Sequence, residues 1–352
     1  MNQPKTSQFP LGGCLCGAAG LLLCSTATQA QENPSWTKRF RLGLVVGINL
    51  EAEFSLGGDF GVSGVAPGLP GVGGGDHSYD DGYVRLDNTG NAGGYTSNWG
   101  YRDSSQYDPA AETLTFQGTT SFSQTGSTAT ATDEPYYGLD LAYGGRVMEA
   151  AGGVLGWEFG FMFLPATFED REPHQVTAQR VVHRFSTAGI VLPQAPYNGG
   201  TSGVGPVIGD VAEELPGETT TGTLTGSRTV EANVMDFRLG PNLQWHLGGR
   251  WSASVGGGFA LGLVTGDYSF DESIAYESGG TASNSGEFSS TELVYGGYAE
   301  ALVYFRAEEN SEIYVGARYV SMGDATFSGG GREARLKLGN GLFLAAGIHW
   351  IF

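Results

Sequence analysis

A histidine and three aspartates lie close together in the first third of the chain. They are Asp76, His77, Asp80 and Asp81. Carboxylates beside an imidazole can serve as general acid and base in a hydrolytic reaction. The stretch from Asp76 to Tyr101 is polar and rich in glycine, and acidic side chains in such a loop are usually only solvated. We therefore expect no catalysis from this cluster, and a protein that is not an enzyme.

The same stretch also offers hard oxygen ligands for calcium. The candidates are Asp76, Asp80, Asp81 and Asp87. The spacing departs from the EF-hand loop because Asp81 stands where that loop needs a glycine, and no glutamate follows in register. The sequence therefore predicts no dedicated metal site and no cofactor, with calcium at these aspartates as the alternative.

A second group of charges recurs within apolar segments, at positions that share one face of a strand. The group consists of Asp140, Glu158, Asp236, Arg238, Glu300 and Arg318. Because buried charges must be paired, these residues predict a salt-bridged polar network inside the protein. Arg146 and Arg306 could complete the pairing. The alternative is a narrow proton or cation path past an excess of carboxylates.

Strands must position these charges, since eight segments alternate apolar and polar residues. In the first of them every even position from Leu42 to Leu56 is apolar. A membrane barrel needs an apolar residue at every second position for about ten residues. The eight segments are Phe40–Leu56, Pro135–Val147, Val154–Phe168, Val230–Leu247, Trp251–Tyr268, Leu293–Arg306, Ile313–Met322 and Arg335–Phe352.

The connections between these segments alternate in length. Long ones span 57–134, 169–229, 269–292 and 323–334, and short ones span 148–153, 248–250 and 307–312. Outer-membrane barrels have longer outer loops and short periplasmic turns, so this order predicts that both termini are periplasmic.

Parts of the long connections also have extended character. Thr113–Phe122, Gln175–Phe185 and Thr219–Thr229 are rich in Thr, Val and Phe. Their polar faces predict strands that continue above the membrane, and ten or twelve membrane strands are the alternative. Gly57 to Gly75 is predicted to be flexible chain, and the aromatic residues between Tyr79 and Tyr101 to fold over the barrel mouth.

The first thirty residues have the pattern of a secretory signal peptide. Lys5 precedes an apolar run, and the small residues Thr28 and Ala30 predict cleavage after Ala30, with cleavage after Ala27 as the alternative. The mature protein would then span 31–352. All three cysteines lie within residues 1–30, so no disulfide is expected after cleavage.

Charge and hydropathy restrict the remaining function classes. The net charge of −19 argues against nucleic acid as a partner. After Ala30 no run reaches the roughly 18–20 apolar residues that a membrane helix needs. A membrane-spanning chain of this kind must form a barrel.

The mature chain resembles the small single-chain outer-membrane β-barrels of the OmpA/OmpX-like kind. The resemblance rests on strand alternation, connection lengths and a terminal Phe352 with Trp350 and Ile348 before it. It implies an all-β, closed, antiparallel up-and-down transmembrane β-barrel of eight strands, in contact with outer-membrane lipid. Ile348, Trp350 and Phe352 would be the signal for the barrel-insertion machinery. Closure requires that the last strand pairs with the first. The chain departs from the OmpA pattern in that no peptidoglycan-binding domain is expected after the barrel, so the resemblance does not imply anchoring to the cell wall.

Three functions are consistent with this architecture. The first is a non-enzymatic surface protein with a plugged lumen, whose long loops serve adhesion, ligand binding or envelope integrity. The second is a narrow, porin-like channel for small solutes or ions. The third is an outer-membrane enzyme, for which His77 is the only base in a suitable cluster.

Overall fold

The computed structural model describes residues 37–60, 75–124, 129–132 and 135–352. The predicted signal peptide, residues 1–30, lies outside the described residues. Strands dominate, accompanied by two short 3-10 turns at Ala92–Gly94 and Ser104–Gln106. None of the helical segments in the described ranges has the length and apolarity to cross a membrane.

The strands follow one another along the whole described chain. The first ten are β1 (Lys38–Ile48), β2 (Glu51–Ser55), β3 (Gly57–Asp59), β4 (His77–Tyr79), β5 (Gly82–Val84), β6 (Tyr95–Thr96), β7 (Trp99–Tyr101), β8 (Tyr107–Asp108), β9 (Thr113–Gln124) and β10 (Ala129–Ala131). The others are β11 (Tyr136–Ala150), β12 (Gly153–Asp170), β13 (His174–Ser186), β14 (Tyr197–Asn198), β15 (Ile208–Gly209), β16 (Glu213–Gly248), β17 (Trp251–Tyr276), β18 (Thr281–Glu308), β19 (Ser311–Met322), β20 (Ala325–Gly329), β21 (Arg332–Lys337) and β22 (Gly341–Ile351).

The large antiparallel sheet contains all eight strands that the alternation predicts. Neighbours follow the order β11, β1, β22, β19, β18, β17, β16, β12, and β12 pairs with β11 as well as with β16. Strand β1 pairs with β22 from Arg39 opposite Ile351 to Ile48 opposite Leu342. The predicted contact between the first and last strands is therefore confirmed, as is the all-β class.

The outer face of these strands is apolar. Leu44, Tyr137 and Val315 are each at least 60% exposed, and the neighbouring positions along the strands are buried or partly buried. On β22 the alternation places Leu344, Ile348 and Phe352 on the exposed face. A row of exposed apolar side chains of this kind suits contact with lipid hydrocarbon.

The alternation of the first segment breaks at Asn49, and the predicted outward face of Leu50 to Leu56 is wrong. Asn49 adopts a left-handed conformation with φ of 61°, and β1 ends before it. In β2 the even residues, among them Phe54, are buried, whereas Glu51 and Glu53 are only partly covered. Asn49 and Leu50 lie between the two strands, and the irregular backbone there shifts the alternation by one residue and so exchanges the two faces.

The alternation of the last predicted segment breaks at the same level of the sheet as that of the first. Strand β21 buries Ala334 and Leu336, whereas β22 buries the odd residues Phe343 and Ala345. The two breaks contact each other, because Nδ2 of Asn49 donates to the carbonyl of Asn340 at 3.0 Å. The single strand predicted over Arg335–Phe352 is therefore two strands with opposite buried faces.

Beyond this break, at the end of the strands opposite Lys38 and Phe352, lies a second layer of β-structure, which we call the outer layer. Strands β16, β17 and β18 extend into it, β9 and β13 join β16, and β10, β2, β21 and β20 form a sheet of their own. The predicted loop 269–292 is a hairpin of β17 and β18, and 169–229 contains β13 and much of β16. Thr113–Phe122, Gln175–Phe185 and Thr219–Thr229 all fall within strands. Of the stretch predicted to be flexible, residues 61–74 lie outside the described residues.

The aromatic residues of the first connection build small sheets of their own. Strands β4, β5, β7 and β14 form one sheet, and β15 pairs with β6. Tyr79, Trp99 and Tyr101 are buried in a cluster with Phe116 of β9 and Phe185 of β13. The segment therefore has an apolar core of its own, joined to the outer ends of the long strands.

Candidate functional site

Eight charged side chains from six strands meet in the interior at the level where the outer face is apolar. Each is at most 8% exposed. We call this group the charged belt: Arg39 and Arg41 of β1, Asp140 of β11, Glu158 of β12, Asp236 and Arg238 of β16, Glu300 of β18 and Arg318 of β19.

The belt is one chain of ion pairs in which the sign of the charge alternates. Its order is Arg39, Glu158, Arg41, Glu300, Arg318, Asp140, Arg238, Asp236, and successive N to O distances lie between 2.5 and 3.2 Å. Four guanidiniums meet four carboxylates, so the formal charge of the belt is zero. The excess of acid that would favour a cation path is therefore absent from this group.

Arginine geometry determines how the belt is joined. Arg318 donates through Nε and NH2 to Glu300 and through NH1 and NH2 to Asp140. Arg41 bridges Glu158 and Glu300 in the same way. A planar guanidinium with five donors can satisfy two carboxylates at once, which a lysine cannot.

Tyrosines fill the interior around the belt, and glycines make room for them. Tyr304 and Tyr314 are each 1% exposed, and the Arg41 guanidinium lies over the Tyr314 ring at 5.1 Å. A Cβ on Gly43 would come within 2.0 Å of the Tyr314 hydroxyl, and one on Gly160 within 2.7 Å of Arg238 NH2. Position 43 therefore requires glycine, since a Cβ there would also come within 2.6 Å of the Ala346 carbonyl oxygen, whereas a Cβ at position 160 would only displace the flexible Arg238 side chain.

The structure places all six predicted network residues in the belt and adds two that the sequence analysis did not include. Arg39 and Arg41 supply the missing positive charge. The predicted partners Arg146 and Arg306 pair elsewhere, with Glu149 at 2.7 Å and with Glu312 at 3.8 Å. The inward alternation of β1 signals Arg41, but its depth relative to Glu300 follows only from the strand register.

A second charged network lies in the outer layer. Arg228 is fully buried and donates to Glu272 and to Asp170, each at 2.8 Å. Arg332 donates to the other Glu272 oxygen at 2.9 Å, and Asp170 also contacts His174. These ion pairs tie β12, β16, β17 and β21 together.

The first connection separates the predicted catalytic and calcium residues. Asp76 accepts from the Leu86 amide at 2.9 Å, and Asp87 accepts from the Thr89 and Ser97 amides. Within the described part of the chain no three His, Cys, Asp or Glu residues come close enough together to hold a metal ion.

His77 lies in an aromatic environment rather than at a surface. Its ring packs against Tyr79, His183 and Phe185 and is fully buried. Burial lowers the pKa of His77, and it also lowers that of His183, whose Nδ1 is 2.7 Å from the Tyr79 hydroxyl. A neutral, enclosed imidazole is poorly placed to act as a general base on an outside substrate.

Asp80 and Asp81 instead face a cleft at the outer end of the molecule. We call it the apical cleft; its volume is about 500 Å³, and it is lined by Asp80, Asp81, Arg102, Asp103, Ser105, Gln106, Thr115, Gln117, Arg180 and the β17–β18 turn from Ser278 to Thr281. Asp80 accepts from the amide and hydroxyl of Thr119 at 3.0 and 2.8 Å. Asp81 accepts from the Gln117 amide at 3.0 Å.

Burial perturbs both aspartates. It raises the pKa of Asp81 to about 6, and it also raises that of Asp80. A carboxyl group in a cleft that titrates near neutral pH is a feature of functional sites.

Comparisons with known proteins returned structural similarity only. No protein-family model matches the chain, and no curated protein matches it. Ail, the attachment invasion locus protein of Yersinia pestis, solved with the heparin analogue sucrose octasulfate, covers 89% of this chain and 99% of its own, at 10% identity and a TM-score of 0.26. The outer membrane protease OmpT from Escherichia coli covers 91% and 97%, at 9% identity and a TM-score of 0.30. A FadL homologue from Pseudomonas aeruginosa covers 91% and 93%, at 9% identity and a TM-score of 0.19.

These scores carry no argument about function. The assignment to the outer-membrane β-barrel class rests on the antiparallel pairing and the apolar outer face described above, and the subfamily is open.

Proposed function

We propose that the chain is a non-enzymatic outer-membrane protein: a closed eight-stranded transmembrane barrel with a plugged lumen that displays an outer layer of β-structure for binding. The observation that carries the proposal is the charged belt. An eight-stranded barrel has an interior just wide enough to be filled by side chains. Here it holds an alternating chain of paired charges with tyrosines around it.

The pairing order supports the closed barrel. Each of the eight strands has two hydrogen-bonded neighbours, so the membrane-level part of the sheet leaves no free edge. A barrel spans a lipid bilayer only if all its backbone groups are satisfied in this way. Phe40 and Trp350 stack at 5.9 Å beside the chain ends, as expected for aromatics at a membrane interface.

The proposal gives an orientation that labelling can test. The signal peptide would direct export, the insertion machinery would recognise Ile348, Trp350 and Phe352, and both termini would be periplasmic. Because all cysteines lie in residues 1–30, a single introduced cysteine in the mature chain is a clean probe. Val204→Cys, which is 82% exposed in the outer layer, should react with a membrane-impermeant maleimide on intact cells. Asn310→Cys, in the turn between β18 and β19, should react only after the outer membrane is permeabilised.

The plugged lumen is tested by conductance. Refolded protein in planar lipid bilayers should give no steady single-channel openings, because in the proposed barrel the paired charges and tyrosines fill the lumen. Steady openings of the unmodified protein would overturn the plugged barrel and favour the narrow channel. The double variant Arg41→Gly with Arg318→Gly should open a path, and Arg335→Gly, whose pair with Glu333 is exposed, is the control.

A further inference from the structure

The apical cleft contains a buried guanidinium whose Nε lacks an acceptor. Arg180 of β13 is 5% exposed, and its Nε has no hydrogen-bond partner. Its ion pair with Asp80 is long, at 3.8 Å, and the guanidinium lies over the Tyr276 ring at 4.4 Å. Burial of a charged donor without an acceptor is costly. A ligand that supplies an anionic acceptor would remove that cost.

A second guanidinium lines the same cleft. Arg102 is exposed, and among the described residues its side chain has neither a hydrogen bond nor an ion pair shorter than 4 Å. Its backbone is fixed, since its amide donates to the carbonyl of Asp81 at 3.2 Å. Two guanidiniums that converge on one space can hold a carboxylate through charge-assisted hydrogen bonds.

The opposite side of the cleft offers acceptors. Asp80 uses only Oδ2 for its bonds with Thr119, and in the described part of the chain Oδ1 has no donor. Asp81 lies beside Asp80, and both of its carboxylate oxygens accept from the same Gln117 amide. These carboxylates suit an ammonium group, which carries several donors in a compact space.

We propose that the apical cleft binds a small zwitterion, of the size of an amino acid or dipeptide, with its carboxylate on Arg102 and Arg180 and its ammonium group on Asp80 and Asp81. This inference rests on the proposed role in binding, and it specifies the class of ligand. A simple cation would leave Arg180 without an acceptor, and a simple anion would meet Asp80, Asp81 and Asp103. A polyanion is further disfavoured by the net charge of −19.

The affinity for this ligand should increase with pH because of Asp81. With its pKa near 6, Asp81 is partly protonated below neutral pH. The ammonium group stabilises the ionised carboxylate, so the bound protein holds fewer protons, and affinity should rise as pH increases through 6. The charged and titratable groups that face Asp81 are Asp80, Tyr79, Arg102, Asp103 and Arg180. A ligand held only through the guanidiniums would bind more weakly as Asp81 ionises.

The test is calorimetry of the full-length mature protein in detergent with glycylglycine as the probe. N-acetylglycine lacks the ammonium group and glycinamide lacks the carboxylate, so each should bind at least about tenfold more weakly. Arg102→Gln and Asp81→Asn should each weaken the binding of glycylglycine to a similar degree. Arg184→Gln is the matched control, because Arg184 lies on the same strand as Arg180 but pairs with Glu213 outside the cleft.

Several results would overturn the inference. They are no binding of glycylglycine, equal binding of all three probes, or an affinity that Arg102→Gln and Asp81→Asn leave unchanged. Binding of glucuronate in place of glycylglycine would assign the cleft to an acidic sugar instead. The conductance of the barrel is measured separately, so an empty cleft and an open lumen are distinguishable failures.

Discussion

The membrane-level part and the outer layer of this protein reverse the positions of apolar and charged residues. At the membrane level the outer face is apolar and the interior holds the charged belt. In the outer layer the interior contains Phe54 and Phe327, and the carboxylates of Glu51 and Glu53 lie on the partly exposed face. The two parts of the chain are thus adapted to two solvents. Lipid requires an apolar exterior, whereas water requires an apolar core.

The two regions also differ in how their arginines are paired. In the belt every guanidinium has an ion pair of 3.2 Å or less, whereas in the apical cleft the ion pair of Arg180 with Asp80 is 3.8 Å long and the Arg102 side chain has none among the described residues. Short buried ion pairs hold the strands of the belt together, while guanidiniums without a close carboxylate in a cleft are available to a ligand. The contrast predicts where substitution affects stability and where it affects binding.

The largest effect is expected in the belt. Arg41→Ala leaves Glu158 and Glu300 short of a partner in a buried site, and should lower the free energy of unfolding by about 4–5 kcal/mol. Arg102→Ala in the cleft should change it by less than about 1 kcal/mol. Urea titration of detergent-refolded protein, followed by tryptophan fluorescence, compares the two. Equal losses would remove the distinction between a structural and a binding arginine.

The next effect concerns the exchange of faces at Asn49. Leu44 and Phe54 are both even-numbered residues of one predicted strand, but Leu44 is 65% exposed and Phe54 is fully buried. Phe54→Ala should cost about 3–4 kcal/mol through the cavity that it leaves. Leu44→Ala on the lipid face should cost on the order of 1 kcal/mol. The same titration measures both, and a larger loss for Leu44→Ala would contradict the assigned faces.

This pair of residues shows what the sequence could predict. The alternation locates strands of the large antiparallel sheet, and the need to pair the ends gives the contact between β1 and β22. An alternating strand has the same pattern whether its apolar face meets lipid or a protein core, so Phe54 could not be distinguished from Leu44. The faces exchange at the two residues between β1 and β2, where Asn49 has a φ of 61°.

The site was predictable to a similar extent. Alternation identified six members of the belt, because inward charges in a membrane strand must be paired. The contributions of Arg39 and Arg41 depend on strand register and on how far a guanidinium reaches, which no pattern within one segment encodes. The apical cleft depends on contacts between residues about a hundred positions apart, such as Asp80 and Arg180. No local spacing indicates such contacts.

A smaller effect is the pH dependence that Asp81 in the apical cleft gives to the stability of the protein. The folded-state pKa of Asp81 is raised to about 6, above its unfolded value, so the folded protein binds the proton more tightly. The contribution of Asp81 to stability is therefore greatest below its unfolded pKa and falls as pH rises toward 6, by about 3 kcal/mol at most. Asp81→Asn keeps an acceptor for the Gln117 amide and should flatten this part of the profile. Unfolding at pH 4 to 7 tests it, and identical slopes would show that Asp81 titrates normally.

The smallest effect tests the break itself. Asn49→Ala loses the hydrogen bond to the carbonyl of Asn340 and places a residue with a Cβ but no compensating contact at positive φ, at a cost of about 1–2 kcal/mol. Asn49→Gly loses the same bond but tolerates the conformation, so it should be the milder change. The difference between the two variants isolates the backbone contribution from the hydrogen bond. If the Asn49→Ala variant proved as stable as Asn49→Gly, the left-handed backbone at position 49 would not be the reason that β1 and β2 bury opposite faces.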